Sequence, residues 1–141
     1  MASLVDTNIL VYRWDPRDPR KQAVADELLQ QHVGTDSLYI PHQALIEFMA
    51  VAPTIRWMDQ QVLPITNAIR EIEELLIEFP VLYPDEAMIR MAMRGLATYQ
   101  LSWYDAHLWA YAERYGISEI LSEDFGHGRR YGMVVVRNPF L

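Results

Sequence analysis

Apolar residues recur along the whole chain. Their spacing changes repeatedly between the short runs of buried strands and the three-to-four-residue period of helices. Ala2 to Val5 reads as an opening strand, followed by a short helix from about Asn8 to Trp14. Asp15-Pro16 and Asp18-Pro19 mark a turn, with Asp18 as N-cap and Pro19 at the first helical position of the next helix. That helix runs to about Val33 with Val24, Leu28 and Leu29 inward, and Gly34 closes it. Leu38 to Ile40 is a second strand. Pro41 opens a helix carrying Leu45, Phe48, Met49 and Ala52, broken near Pro53. Val62-Leu63-Pro64 reads as a brief extended segment. Ile69, Ile72, Leu76 and Phe79 repeat at helical spacing until Pro80, and Val81 to Tyr83 is another short strand. Asp85 caps a helix with Met88, Met91, Ala92, Leu96 and Tyr99 on one face and Arg90 and Arg94 on another. Ser102 caps the next, with Leu108, Trp109, Ala112 and Tyr115 inward and Gly116 at its end. Glu119 to Ser122 and Met133 to Val136 are the last strands.

Short strands alternating with helices predict an α/β fold, a short-stranded parallel sheet sandwiched by helices. No linker, repeat or low-complexity segment interrupts the pattern, so residues 1–141 are expected to form a single domain. The longest apolar stretches, such as Phe48 to Ala52, are far shorter than the roughly 20 residues a membrane helix needs. Asp6 interrupts the first apolar run, so the N-terminus does not read as a secretion signal. The chain has no cysteine, which excludes disulfides and thiolate metal sites and suits a reducing cytoplasm.

The formal net charge of −7 argues against a simple nucleic-acid binder. Acids gathered around a metal ion are neutralised by it, however, and so overstate the repulsion. Of the 12 basic residues only Lys21 is a lysine. Arginine's planar fork suits phosphate, although an arginine-rich codon bias accounts for the excess equally well.

Four carboxylates are the candidate chemistry. Asp6 follows the first strand directly, and Asp124 follows the strand Glu119 to Ser122 after one turn residue. Both therefore stand at carboxyl strand ends, where ligands of such sheets gather. Asp105 lies in the first turn of its helix, and Glu47 lies mid-helix in an apolar segment. Each has a plainer alternative: Asp6 as a cap, Asp105 in a capping box with Ser102, Glu47 as a solvated helix residue, Asp124 as a turn residue. The set points further. Hard cations require several oxygen ligands, and converging carboxylates without one raise each other's pKa.

Leu4-Val5-Asp6-Thr7-Asn8-Ile9-Leu10 resembles the opening motif of PIN-domain nucleases. Ser102-Trp103-Tyr104-Asp105-Ala106 resembles that family's third-acid motif, and Ile120-Leu121-Ser122-Glu123-Asp124-Phe125 its fourth. Glu47 falls where the second acid is expected, and Val136 to Phe140 also has the family look. The compact size is similar to that of VapC toxins of toxin–antitoxin pairs. One departure concerns the stretch Phe125-Gly126-His127-Gly128, where some members carry a further acid. His127 and Glu123 are candidate substitutes, with a solvated loop as the alternative for His127, and the departure leaves one metal ion as the alternative to two.

The resemblance implies an endoribonuclease dependent on one or two Mg²⁺ or Mn²⁺ ions held by Asp6, Asp105 and Asp124, with Glu47 either a direct ligand or the residue that orients a water. It also implies an antitoxin partner and a homodimer, with the Ile69–Phe79 and Met88–Met91 helices as interface candidates. Thr7 and Asn8 are candidates to hydrogen-bond a carboxylate or the RNA. Arg129 and Arg130 are the first choice for phosphate contacts, and Arg13, Arg17, Arg20 and Lys21 form a second basic patch; a solvated surface is the alternative for both. Trp103 and Tyr104 are candidates to stack on bases or to pack in the core. The chief rival is a catalytically silent PIN-like RNA- or protein-binding module. A purely structural interaction protein is a further reading. An aspartyl-phosphate enzyme is disfavoured because Asn8 stands where a second Asp would be needed and Lys21 is expected far from any strand end. No P-loop is present.

Overall fold

Ser3–Val5 forms β1 of the computed structural model, which describes residues 2–141. The chain continues through α1 (Thr7–Tyr12), α2 (Pro19–His32), β2 (Leu38–Pro41) and α3 (His42–Val51). A single 3₁₀ turn (Ala52–Thr54) leads to a hairpin of β3 (Arg56–Trp57) and β4 (Gln60–Gln61), then α4 (Ile65–Glu78) and β5 (Val81–Leu82). The remaining elements are α5 (Glu86–Tyr99), α6 (Trp103–Arg114), β6 (Glu119–Leu121), β7 (Arg130–Tyr131) and β8 (Val134–Arg137).

Helix starts follow the caps expected from sequence. Asp18 accepts from the Lys21 amide with Pro19 behind it, Asp85 accepts from the Met88 amide, and Ser102 accepts from the Asp105 amide. Gly34 and Gly116 take positive φ just beyond α2 and α6, a backbone region that favours glycine.

Six strands make one sheet in the order β5-β2-β1-β6-β8-β7. Every pair is parallel except β7 with β8, so the sheet is mixed at one edge rather than wholly parallel. Helices cover both faces, because successive side chains of a strand point opposite ways. Val5 and Leu121 join a core with Leu10, Leu29, Phe48 and Leu75 from α1 to α4. Leu4 and Ile120 join the other core, with Met88, Leu108, Trp109 and Tyr111 from α5 and α6.

β1 and β6 are adjacent, with Val5 opposite Leu121. From β1 the chain builds outward through β2 to β5, then returns to the other side of β1 with β6. The β1–β6 seam is thus the topological switch point, the place where open α/β sheets bind ligands.

The structure differs from the sequence reading at four points. The extended segment is the hairpin at 56–61 rather than Val62 to Pro64; its turn places Met58 and Asp59 at φ 52° and 62°. β7 has no counterpart in the sequence reading. On α4, Ile69 and Leu76 are about half exposed, while Ala68, Glu71 and Leu75 turn inward beside Phe79. Likewise Tyr115 lies just past α6 and is exposed, its hydroxyl donating to the Tyr83 carbonyl, whereas Tyr111 is the buried tyrosine.

Candidate active site: a carboxylate cavity at the switch point

Two cavities, of about 300 and 370 Å³, open side by side at the carboxyl end of β1 and β6 and share Asp6, Glu47, Val51 and Asp124. Asp105 lines the second. All four candidate acids therefore border one cavity, although they come from four places in the chain. Asp6 caps α1, Glu47 projects from α3, Asp105 stands in the first turn of α6, and Asp124 follows β6. The caps expected as rival explanations are real for two of them. The Asp6 side chain accepts from the Thr7 amide, and the Asp105 amide donates to Ser102 Oγ. Capping fixes where these residues stand and leaves carboxylate oxygens available.

Ser122, fully buried at the end of β6, organises the seam. Its hydroxyl donates to Asp6 Oδ2 (2.6 Å) and accepts from the Asp124 amide (3.1 Å). Asn8 bridges the same two acids, its Nδ2 lying 3.2 Å from Asp124 Oδ2 and 3.4 Å from Asp6 Oδ2. Thr7 Oγ1 donates to Glu47 Oε2 (2.7 Å), and Gln43 Nε2 donates to Glu47 Oε1 (3.3 Å). Ser122 was not singled out by sequence reasoning. Its one signal is a hydroxyl at a strand end, two residues before an acid.

The cluster carries uncompensated negative charge. Burial raises the Asp6 pKa from the usual carboxylate range to about 6, and Glu47 and Asp105 push it further the same way against the Ser122 and Thr7 hydrogen bonds. Asp105 is raised too, by burial first and then by Asp124 and Glu47. Neutral hydroxyls and amides bridge the acids. Arg17 is the one full cation among the described residues lining these two cavities, and its guanidinium is gripped by the buried Asp15 (2.9 and 2.8 Å). The donor set is all hard oxygen, which fits Mg²⁺ or Mn²⁺. In this arrangement no three Asp, Glu or His side chains among the described residues close around a single point. The fit is therefore one of donor type, charge and shared cavity.

Other sequence candidates lie apart from this cavity or are engaged. Arg129 and Arg130 do not line it; Arg129 stacks over Tyr131 (5.3 Å). Arg13 pairs with Asp26 and the buried Glu71, and Arg20 donates to the Phe140 carbonyl. Lys21, expected far from any strand end, instead reaches Glu123 just past β6 (2.7 Å). Glu123 also accepts from the Tyr12 hydroxyl (2.6 Å), so its carboxylate is tied at the cavity edge. His127 Nδ1 accepts from the Asn138 amide (3.0 Å), which leaves Nε2 as the protonated nitrogen of the neutral ring. Trp103 and Tyr104 are exposed beside Asp105 rather than packed in the core.

Among curated proteins, none matches the chain. Solved structures do. A toxin–antitoxin complex from Klebsiella pneumoniae contains a chain 17% identical, with TM-score 0.71 and 98% of each chain covered. VapBC-1 from nontypeable Haemophilus influenzae gives 19% identity and TM-score 0.68, covering 99% of this chain and 98% of that one. The sarcin–ricin-loop-cleaving toxin VapC20 of Mycobacterium tuberculosis gives 17% and 0.65, covering 88% and 92%. At such identities the likeness shows the fold. The sequence model of the PIN domain matches residues 3–132, nearly the whole chain, and with it the chain belongs to the PIN domain family.

Proposed function

We propose that this chain is a metal-dependent endoribonuclease, the VapC-type toxin of a toxin–antitoxin pair, acting in the cytoplasm as a single PIN domain spanning residues 1–141. The observation that carries the reading is the shared cavity. Four acids from four separate elements border it at the switch point of the sheet, without a compensating cation among the bridging groups. Membership of the PIN family and the fold shared with toxins of toxin–antitoxin complexes support it.

Asp6, Asp105 and Asp124, with Glu47, would hold Mg²⁺ or Mn²⁺. Such an ion, when bound, polarises a phosphodiester and lowers the pKa of water. The chain's own groups set the stage. Ser122 and Asn8 hold Asp6 and Asp124 in register, and Thr7 fixes Glu47. Arg17, braced by Asp15, offers a fixed donor to a phosphate of the RNA on the cavity wall. Arg129 and Arg130 serve the strand farther out. A homodimer and an antitoxin that covers the site complete the proposal.

The test is cleavage of a structured RNA by protein purified free of antitoxin, with Mg²⁺ or Mn²⁺, with EDTA, and with Asp6→Asn. Cutting that needs metal and is lost in the folded variant is the expected result. A chain that binds no divalent ion in calorimetry is instead the silent PIN-like binding module.

A further inference from the structure

A third cavity of about 530 Å³ opens beside the carboxylates, and Gln43, Glu47, Ala50 and Tyr104 line both it and the second cavity. From the geometry we infer that this groove is a subsite for an unpaired nucleobase flanking the cleaved phosphate, favouring bases that donate through an exocyclic amine. The inference rests on the RNA reading above and goes beyond it in naming what the neighbouring nucleotide touches.

The groove's chemistry differs from that of the carboxylate cavity. Its walls are His42, Ile46, Trp103, Tyr104, His107 and Tyr111, and no Lys or Arg lines it. A phosphate meets no lysine or arginine there, whereas a base has aromatic faces to stack on. Trp103 is 44% exposed and Tyr104 66%, although both stand in the first turn of a helix whose following residues pack in the core. Trp103 is braced edge-to-face against His107 (4.1 Å between centroids, 86°). Tyr104 immediately precedes Asp105, so a base on this platform is one nucleotide's reach from the carboxylates. The opposite end of the carboxylate cavity carries Arg17 and Asn8, polar donors suited to the backbone.

Hydrogen bonding gives the groove a preference. Gln43 donates from its amide nitrogen to Glu47 Oε1 and to the Tyr104 carbonyl (3.3 Å each). Its own carbonyl oxygen then remains as an acceptor. His107 Nδ1 lies 2.8 Å from the Trp103 carbonyl, which only accepts, so Nδ1 carries the proton and Nε2 of the neutral ring is an acceptor. Two acceptors on an aromatic groove match the amine edge of adenine or cytosine better than uracil, whose edge has carbonyls on both sides of a single N–H.

The experiment is fluorescence anisotropy of fluorescein-labelled RNA octamers, A8, C8 and U8, with the whole chain in Ca²⁺, the octamers checked uncut by gel. A8 and C8 are expected to bind more tightly than U8. Trp103→Ala and Tyr104→Ala, both at exposed positions, are expected to weaken A8 binding by roughly tenfold each with unchanged melting temperatures. His107→Phe is expected to keep stacking and narrow the preference over U8. RNA cleavage with binding indifferent to these variants overturns the groove assignment alone and leaves the groove to a protein partner. Base-selective binding here, with no RNA cut in the Mg²⁺ or Mn²⁺ cleavage assay described above, supports the groove and sinks the nuclease reading. Absence of any RNA binding overturns both.

Discussion

Asp6 concentrates the tension of this molecule at one residue. It accepts from Thr7, Ser122 and Asn8, yet burial and neighbouring acids raise its pKa to about 6. The folded chain therefore holds this proton up to about pH 6, while the unfolded carboxyl releases it near 3.8. Between those values the folded state binds more protons than the unfolded state, so this residue's contribution to stability falls as pH rises. Above pH 6 the full penalty applies, about 3 kcal/mol. Asp6→Asn keeps the shape and removes the charge. In metal-free buffer it is expected to raise the melting temperature at pH 7.5, with the gain shrinking towards pH 4.5. Thermal scans at both pH values decide it; a variant less stable than the parent at pH 7.5 would show that the cap and the Ser122 bond outweigh the charge.

At the scale of elements, α5 packs against α6 through Gly95. A Cβ there would stand 2.8 Å from Trp109 Cε3, and Trp109 is buried and tethered through Nε1 to the Tyr131 carbonyl (3.1 Å). The ring cannot easily give way, so Gly95→Ala is expected to destabilise by about 1–3 kcal/mol despite alanine's better helix propensity. Urea unfolding measures it, and an unchanged or raised midpoint would mean that the helices part without cost. Elements of this kind were largely legible in the sequence. Asp18, Asp85 and Ser102 announced their helices through local capping chemistry, and Asp6 and Asp124 were placed at strand ends by the strands before them. What escaped depends on distant partners. The hairpin turns through Met58 and Asp59, which lack the usual Asn-Gly signal, and β7 is two residues long. On α4, Glu71 turns in towards Arg13, 58 residues away in sequence. Lys21 reaching Glu123 across 102 residues is equally invisible to local pattern.

The whole molecule keeps an apolar row along α4 of which only Ile72 packs against the core. On α4, Ile65, Ile69, Ile72 and Leu76 recur at helical spacing, and Ile65, Ile69 and Leu76 remain 53%, 46% and 48% exposed while Ala68, Leu75 and Phe79 fill the core. Scattered apolar residues on a surface call for no explanation, but an aligned row on one helix is the pattern of an interface. A second copy of this chain is the occupant that the proposed homodimer requires. A two-fold contact brings the same stripe together from both copies, and no residue of α4 lines the carboxylate cavities, which stay open to RNA. Sedimentation equilibrium at tens of micromolar is expected to give a dimer for the parent chain. Ile69→Glu with Leu76→Glu is expected to give a folded monomer, because two buried like charges per copy would face each other without partners. Both positions are half exposed in the single chain, so the substitutions leave its core intact. A parent chain that sediments as a monomer would remove the dimer from the proposal and leave the stripe as a surface for the antitoxin.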